Sequence, residues 1–215
     1  QDWRISEGQL QCINSSLGLR TVHLLTHQVN DDMGELKISL TLGLNPNASN
    51  TGNEGYAGIM IGAGEGEMDY RASSLIHYSQ GKAGGLIIAV NETGQIVFTD
   101  NTGDKSLTGT AQVSPAESYP DSIRMDIEIY PDGDSLFTIS VDAVDPESRH
   151  TFSHNDLTRV PARKIKGNIA LVANHIDKNS TSYNYSFYKL RINGNILSEN
   201  SNHRFGPVLG VMQTL

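Results

Sequence analysis

Three carboxylates lie at alternate positions in the sequence and are the first candidates for a catalytic or cation-binding role. On a strand, Glu65, Glu67 and Asp69 would share one face, with neighbours about 6.6 Å apart. Retaining glycosidases hold two carboxyl groups about 5–5.5 Å apart and inverting ones hold them farther apart, so hydrolysis of a polysaccharide is one hypothesis. Glycines surround these residues, where a catalytic pair would need a regular strand. The sequence therefore favours the alternatives, which are an acidic solvated loop or a weak cation site of hard oxygen ligands.

The residues that follow could bind a polar ligand. Asp69, Tyr70 and Arg71 place a hydrogen-bond acceptor, an aromatic ring and a donor side by side. The competing interpretation is a buried arginine–aspartate pair that holds the loop. The preceding glycines, at 62, 64 and 66, have GxGxG spacing, which differs from the GxGxxG of a nucleotide loop, and no long helix follows them. We predict a bend between strands there and no nucleotide site.

An aromatic stripe on the last predicted strand, residues 183–192, is the second candidate binding surface. Alternation would place one set of side chains outward if Tyr188, Leu190 and Ile192 face the core. That outward set is Tyr183, Tyr185, Phe187, Lys189 and Arg191. Exposed rings of this kind can stack on sugar rings, so Tyr183, Tyr185 and Arg191 are predicted to bind a ligand. The alternatives are that loops cover this face, or that a bulge shifts the register and turns Phe187 inward.

The histidines and the cysteine give no metal or catalytic pattern. His23 and His27 would lie about 13 Å apart on a strand, too far to share a metal ion. His150 and His154 would need a helix, which the residues between them do not favour. Cys12 is the only cysteine, so it forms no internal disulfide, and we predict it as a small half-buried residue on a strand. No G-x-S-x-G elbow occurs. We therefore predict no catalytic residue and no metal ligand.

The elements that must position these residues are strands. Apolar and polar residues alternate from 36 to 44. Two hairpins are predicted, one joining 123–129 to 137–141 through Pro131–Asp134, the other joining 86–90 to 95–99. Further strands are predicted at residues 9–13, 21–29, 56–62, 168–173 and 183–192, and one short helix at residues 68–76.

This pattern predicts an all-β chain folded as one domain over residues 1–215. With almost no helix between the strands, we expect a two-sheet antiparallel β-sandwich of the jelly-roll type with about 10–12 strands. The outward residues Arg124, Asp126 and Glu128 of the first hairpin are well explained as a cross-strand charge ladder.

Charge and hydropathy exclude two classes of partner. The chain has 16 Lys and Arg against 24 Asp and Glu, a formal net charge of −8, so nucleic acid is an improbable partner. The apolar residues, 37% of the chain, are spread along it, and no apolar run approaches the roughly 18 residues of a membrane span.

Several short segments together resemble the N-terminal region of bacterial metallophosphatases of the alkaline phosphatase D type. The segments are Trp3 with Gly8, Leu10 and Cys12, then residues 22–26, Gly58 with Ile61 and Gly62, residues 69–71, 84–86 and 167–172, and finally Phe205–Leu209. The resemblance implies a concanavalin A-like, laminin G-like sandwich ahead of a separate catalytic domain. The metal-binding element D-x-H of that superfamily does not occur here. Residues 174–177 imitate another element only with one residue inserted.

The sequence and the resemblance together predict a non-catalytic accessory module of a secreted bacterial metallophosphatase. It would bind a glycan, or pack against a C-terminal catalytic domain of the same chain, with calcium possible and no other cofactor. Gln1 at the start and the apolar end at 208–215 favour a trimmed N-terminal fragment, placed outside the cell, in the periplasm or at the cell surface. The alternatives are a jelly-roll glycoside hydrolase using Glu65, Glu67 or Asp69, and a structural spacer domain.

Overall fold

The computed structural model describes residues 3–13, 19–30, 34–44, 55–63, 84–91, 94–100, 107, 109–110, 121–174 and 185–194. Within these ranges the chain forms thirteen strands and one short helix. The first eight strands are β1 (Trp3–Ser6), β2 (Gln9–Cys12), β3 (Leu19–Val29), β4 (Leu36–Leu44), β5 (Tyr56–Ala63), β6 (Gly84–Asn91), β7 (Ile96–Asp100) and β8 (Gly109–Thr110). The remaining elements are β9 (Ser122–Pro131), β10 (Leu136–Val144), β11 (Thr151–Pro161), helix α1 (Ala162–Ile165), β12 (Gly167–Asn174) and β13 (Tyr185–Gly194).

The strands form two antiparallel sheets, which confirms the predicted β-sandwich. One sheet has seven strands in the order β1-β2-β13-β4-β9-β10-β11, and the other has six in the order β3-β12-β5-β6-β7-β8. Both predicted hairpins are present, as β9–β10 and β6–β7. Three strands were not predicted: β1 and β8 are very short, and β11 buries few of its side chains.

The core lies between the two sheets, as period-two alternation requires. On β4, Leu36, Ile38, Leu40 and Leu42 are buried while Lys37 is exposed. Apolar side chains from β9, β10, β5, β6 and β12 complete the same cluster. Full burial of one such side chain stabilises the fold by about 1.5–3 kcal/mol. Cys12 also lies in this core, buried on β2.

Helix α1 connects the two sheets. It follows β11, the edge strand of the seven-stranded sheet, and leads into β12 of the six-stranded sheet. Its Lys164 Nζ lies 2.8 Å from Asp100 Oδ2 at the end of β7, and both side chains are buried. Gly62 on β5 has a φ of 73°, and a Cβ there would meet the Lys164 carbonyl oxygen. No helix in the described part of the chain is long and apolar enough to cross a membrane.

Candidate functional site

Most of the predicted site residues lie outside the described residues. Glu65, Glu67 and the triplet Asp69, Tyr70 and Arg71 all fall in residues 64–83, as does the predicted helix at 68–76. Tyr183 falls in residues 175–184. The catalytic, cation and binding hypotheses for these residues therefore stay predictions.

The predicted outward position of Tyr185 and Phe187 is wrong. Both side chains are 1% exposed and belong to the core, where Phe187 contacts Trp3 at 5.6 Å between ring centroids. The pairing of β13 with β4 shifts register between Tyr188 and Arg191, and Lys189 has a φ of 53°. This confirms the alternative of a bulge.

The inserted residue changes which positions face inward. Before the bulge, Tyr185 and Phe187 point into the core, whereas after it Leu190 and Ile192 pack there and Arg191 is exposed. The exposed aromatic stripe on which the binding role of Tyr185 was based therefore does not form in residues 185–194. Arg191 keeps its predicted outward position.

The outer face of the six-stranded sheet is the candidate site. Its central strands are apolar on both sides, because β12, β5 and β6 also bury the residues that alternate with their core residues. The outer cluster, which we call the floor, consists of Met60, Ala63, Ile87, Ala89, Ala170 and Val172, all 0–1% exposed. Half of these residues are alanines. The centre of this face is therefore apolar and built largely from small side chains.

Gly58 allows a close approach of the backbone next to the floor. It lies on β5 opposite Ala89 and Val172. A Cβ at this position would meet the Ile88 carbonyl oxygen and lie 2.6 Å from the Ala89 Cα. Since backbone atoms cannot move aside as a flexible side chain can, only glycine fits here.

Polar side chains stand at one end of the floor. Tyr56 pairs across the strands with Asn174 on β12 and with Asn91 on β6. The Tyr56 hydroxyl is hydrogen-bonded to the Asn174 side chain, and burial raises the pKa of the phenol. Asn91 makes two hydrogen bonds to Gln95. Its side-chain Nδ2 donates to Gln95 Oε1 at 2.9 Å, and its side-chain Oδ1 accepts from the Gln95 backbone N–H at 2.8 Å. These bonds close the β6–β7 hairpin.

A second amide pair stands at the other end of the floor. Gln28 Nε2 on β3 donates to Asn168 Oδ1 on β12 at 3.2 Å, and Asn168 is itself buried. His27, next to Gln28, is half-buried, and this burial lowers its pKa. His23 pairs in register with Ala170. Sequence reasoning missed the floor and its amides, because a strand buried on both sides reads as an unbroken apolar run.

The opposite surface of the sandwich, the outer face of the seven-stranded sheet, carries charges. Arg124 contacts Asp126 through Nε at 2.9 Å and Nη2 at 2.8 Å, and the Ser39 hydroxyl donates to Asp126 at 2.7 Å. Lys37 Nζ lies 3.0 Å from carboxylate oxygens of both Glu35 and Glu128, and these raise its pKa. The contacts of Glu128 with Lys37 and of Asp126 with Ser39 cross between β4 and β9, as the charge-ladder interpretation requires, whereas Arg124 and Asp126 pair within β9.

The ladder continues to the sheet edge with residues that the sequence analysis did not identify. His154 on β11 lies beside Asp142 on β10 and Asp156 on its own strand. Predicting β11 as a strand would have placed His154 and Asp156 on one face. Among the described residues, no group of three or more His, Cys, Asp or Glu could hold a metal ion.

The fold is similar to that of solved lectin-like proteins. Arcelin-5, a lectin-like defence protein from Phaseolus vulgaris, aligns with a TM-score of 0.57 at 12% identity, over 91% of this chain and 90% of that chain. Lectin II from Ulex europaeus gives 0.55 at 11%, over 90% of each. The exoplasmic/lumenal domain of VIP36, in a form bound to Ca²⁺ and Man3GlcNAc, gives 0.54 at 10%, over 89% of this chain and 80% of that chain.

At these identities the likeness shows the fold alone. It is a concanavalin A-like jelly-roll sandwich, as the sequence predicted. No protein-family model matches the chain, and no curated protein matches it in sequence.

Proposed function

We propose that this chain is a non-catalytic glycan-binding module, with its ligand held against the outer face of the six-stranded sheet. The observation that carries the proposal is the arrangement of amide and phenol groups at the two ends of a buried apolar floor. A sugar ring presents C–H groups on its faces and hydroxyls at its edge. The amide groups at the ends of the floor can both donate to and accept from these hydroxyls.

The ligand would reach the residues at the ends of the floor, because the floor itself is buried. Tyr56, Asn174 and Gln28 are half-buried, so part of each side chain meets solvent. The described amide and phenol side chains on this face are uncharged at pH 7, which suits hydroxyl groups as partners. The fold neighbours support the same ligand class, since two are lectins or lectin-like and one is bound to Man3GlcNAc.

A glycan array followed by titration calorimetry tests the proposal. We expect Asn174→Ala and Gln28→Ala each to weaken binding of the selected glycan by roughly five- to tenfold, the effect of losing about 1–1.4 kcal/mol of hydrogen bonding. Ser140→Ala, on β10 of the other sheet, is the matched control and should leave affinity unchanged. Full affinity in both amide variants, or no glycan bound by the wild type, would refute the proposal.

We include calcium in the proposal because the chain carries side chains of the kind that bind this ion. Glu65, Glu67 and Asp69 offer the hard carboxylate oxygens that Ca²⁺ prefers. The VIP36 domain named above is Ca²⁺-bound. Glycan binding that survives dialysis against a chelator would exclude a calcium requirement without affecting the glycan proposal.

The parent protein and its location rest on the sequence resemblance. We infer an accessory domain of a secreted bacterial metallophosphatase, which would pack against a catalytic domain of the same chain. A gene that encodes D-x-H and G-N-H-D/E elements after residue 215 would support this parent, and a gene without them would remove it. No observation on the described residues favours the glycoside hydrolase or the spacer alternative, so neither is proposed.

A further inference from the structure

His154 lies where the seven-stranded sheet ends. Its strand, β11, is the edge strand and pairs with β10. The imidazole Nδ1 is 2.8 Å from Asp142 Oδ1 on β10, directly across the ladder, and Nε2 is 3.4 Å from Asp156 Oδ2 on β11. Both ring nitrogens therefore face carboxylate oxygens.

This geometry selects one protonation state. An ionised carboxylate only accepts hydrogen bonds, and a neutral imidazole carries one N–H, so one of its nitrogens would turn a lone pair toward a carboxylate. The imidazolium has an N–H on each nitrogen and can face both oxygens favourably. We propose that His154 fastens edge strand β11 to β10 when it takes up a proton and loosens that edge when the proton leaves.

The strand pairing around His154 is irregular, so the contact between His154 and Asp142 is important for holding β11 to β10. The β10–β11 pairing shifts register between Phe137 and Ile139 and again between Ala143 and Val144. Asp142 and His154 lie in the regular part between these two shifts. An edge strand with pairing on one side and irregular ladders at its ends depends more on side-chain contacts than a central strand does.

Arg124 and Lys37, the cations on neighbouring strands, contact carboxylates other than the two that face the imidazole. On β9, Asp126 lies across from Asp142 but is held by Arg124, and Glu128 is held by Lys37. The hydrogen bond to Asp142 raises the pKa of His154, and Asp156 adds to that rise, while partial burial opposes it.

The direction of the pH effect follows from this shift. A histidine whose pKa is higher in the folded than in the unfolded state stabilises the fold fully below the unfolded value of 6.5. That contribution is lost as the pH rises through the folded pKa. The edge is therefore tighter in mildly acidic solution than in mildly alkaline solution.

Amide hydrogen exchange measured at about pH 5.5 and about pH 8 tests the proposal. After correction for intrinsic rates, β11 amides of residues 153–157 should exchange roughly two- to fivefold more slowly at the lower pH, the range expected for an exposed ion pair. In His154→Gln this difference should vanish. His150→Gln is the matched control: His150 packs edge-on against Phe152, just before the strand, and its loss should leave the difference intact.

A second measurement keeps the proposal open to refutation if His154→Gln fails to fold. Titration by NMR should show the His154 pKa above 6.5 in the wild type and closer to 6.5 in Asp142→Asn. A wild-type value at or below 6.5, or a pH difference that survives in folded His154→Gln, would overturn it.

Discussion

At the scale of single residues, Ser153 is a polar residue whose side chain is buried. It lies on β11 opposite Ala143, and its hydroxyl oxygen is buried with no hydrogen-bond partner among the described residues. A buried hydroxyl that makes no hydrogen bond has lost its contact with water without compensation. Such a group costs about 1–3 kcal/mol.

Ser153→Ala should therefore leave the free energy of unfolding unchanged or raise it by about 1 kcal/mol, because alanine occupies the same space without the hydroxyl. Urea denaturation checks this. Ser39→Ala is the comparison, since that hydroxyl donates to Asp126 and its loss should cost about 0.5–1.5 kcal/mol. A loss of more than 1 kcal/mol in Ser153→Ala would show that the hydroxyl is bonded after all.

At the scale of elements, the sequence predicted the strands that bury one face and failed where the pattern carries an extra residue. The alternation on β9 matches the burial residue by residue, and the apolar positions predicted to face the core on β4 and β10 are buried, although Thr41 and Thr138 between them are buried as well. On β13 the apolar positions change from odd to even, Tyr185 and Phe187 being followed by Leu190 and Ile192. That change of parity was the available signal of a bulge, and reading the strand as continuous placed Tyr185 on the wrong side.

The bulge makes a prediction of its own. Lys189 has a φ of 53°, in the left-handed region that β-branched residues avoid. Lys189→Val should lower the free energy of unfolding by about 1–2 kcal/mol. Arg191→Val, two residues later, has the same new side chain on the regular strand and should change stability by less than about 0.5 kcal/mol. Equal losses in urea melts would argue against the bulge.

The candidate site was beyond prediction for a related reason. The sequences of β5, β6 and β12 read YAGIMIGA, GGLIIAVN and GNIALVAN, apolar on both faces. With no alternation, nothing in them tells a core residue such as Ile59 from a floor residue such as Met60. The pairing partners Gln28 and Asn168 are 140 positions apart, and only the order of strands brings them together.

At the scale of the whole molecule, the pair of Lys164 and Asp100 joins the connection between the sheets to the end of β7. Both side chains are almost fully buried, at 7% and 0% exposed. Breaking one half of a buried ion pair leaves a charge without its partner and costs about 3–5 kcal/mol. Lys164→Met should lower the free energy of unfolding by that amount, measured by urea denaturation at pH 7.

The double variant Lys164→Met with Asp100→Leu removes both charges and should recover most of the loss. Arg163→Met, at an exposed position of the same helix, provides a control for loss of a positive charge there. If the double variant were as unstable as Lys164→Met, the ion pair would not be the cause of the loss.

The two outer surfaces of the sandwich also differ in how much change they can absorb. The side chains of Lys37, Glu128 and Arg191 end in water, so many replacements would fit there at little cost. The floor between Tyr56 and Gln28 consists of small or slender side chains, and the position of Gly58 has no room for any side chain. In homologous chains we expect the outer side chains of the seven-stranded sheet to vary in type. The outer side chains of the six-stranded sheet should keep nearly the same volume.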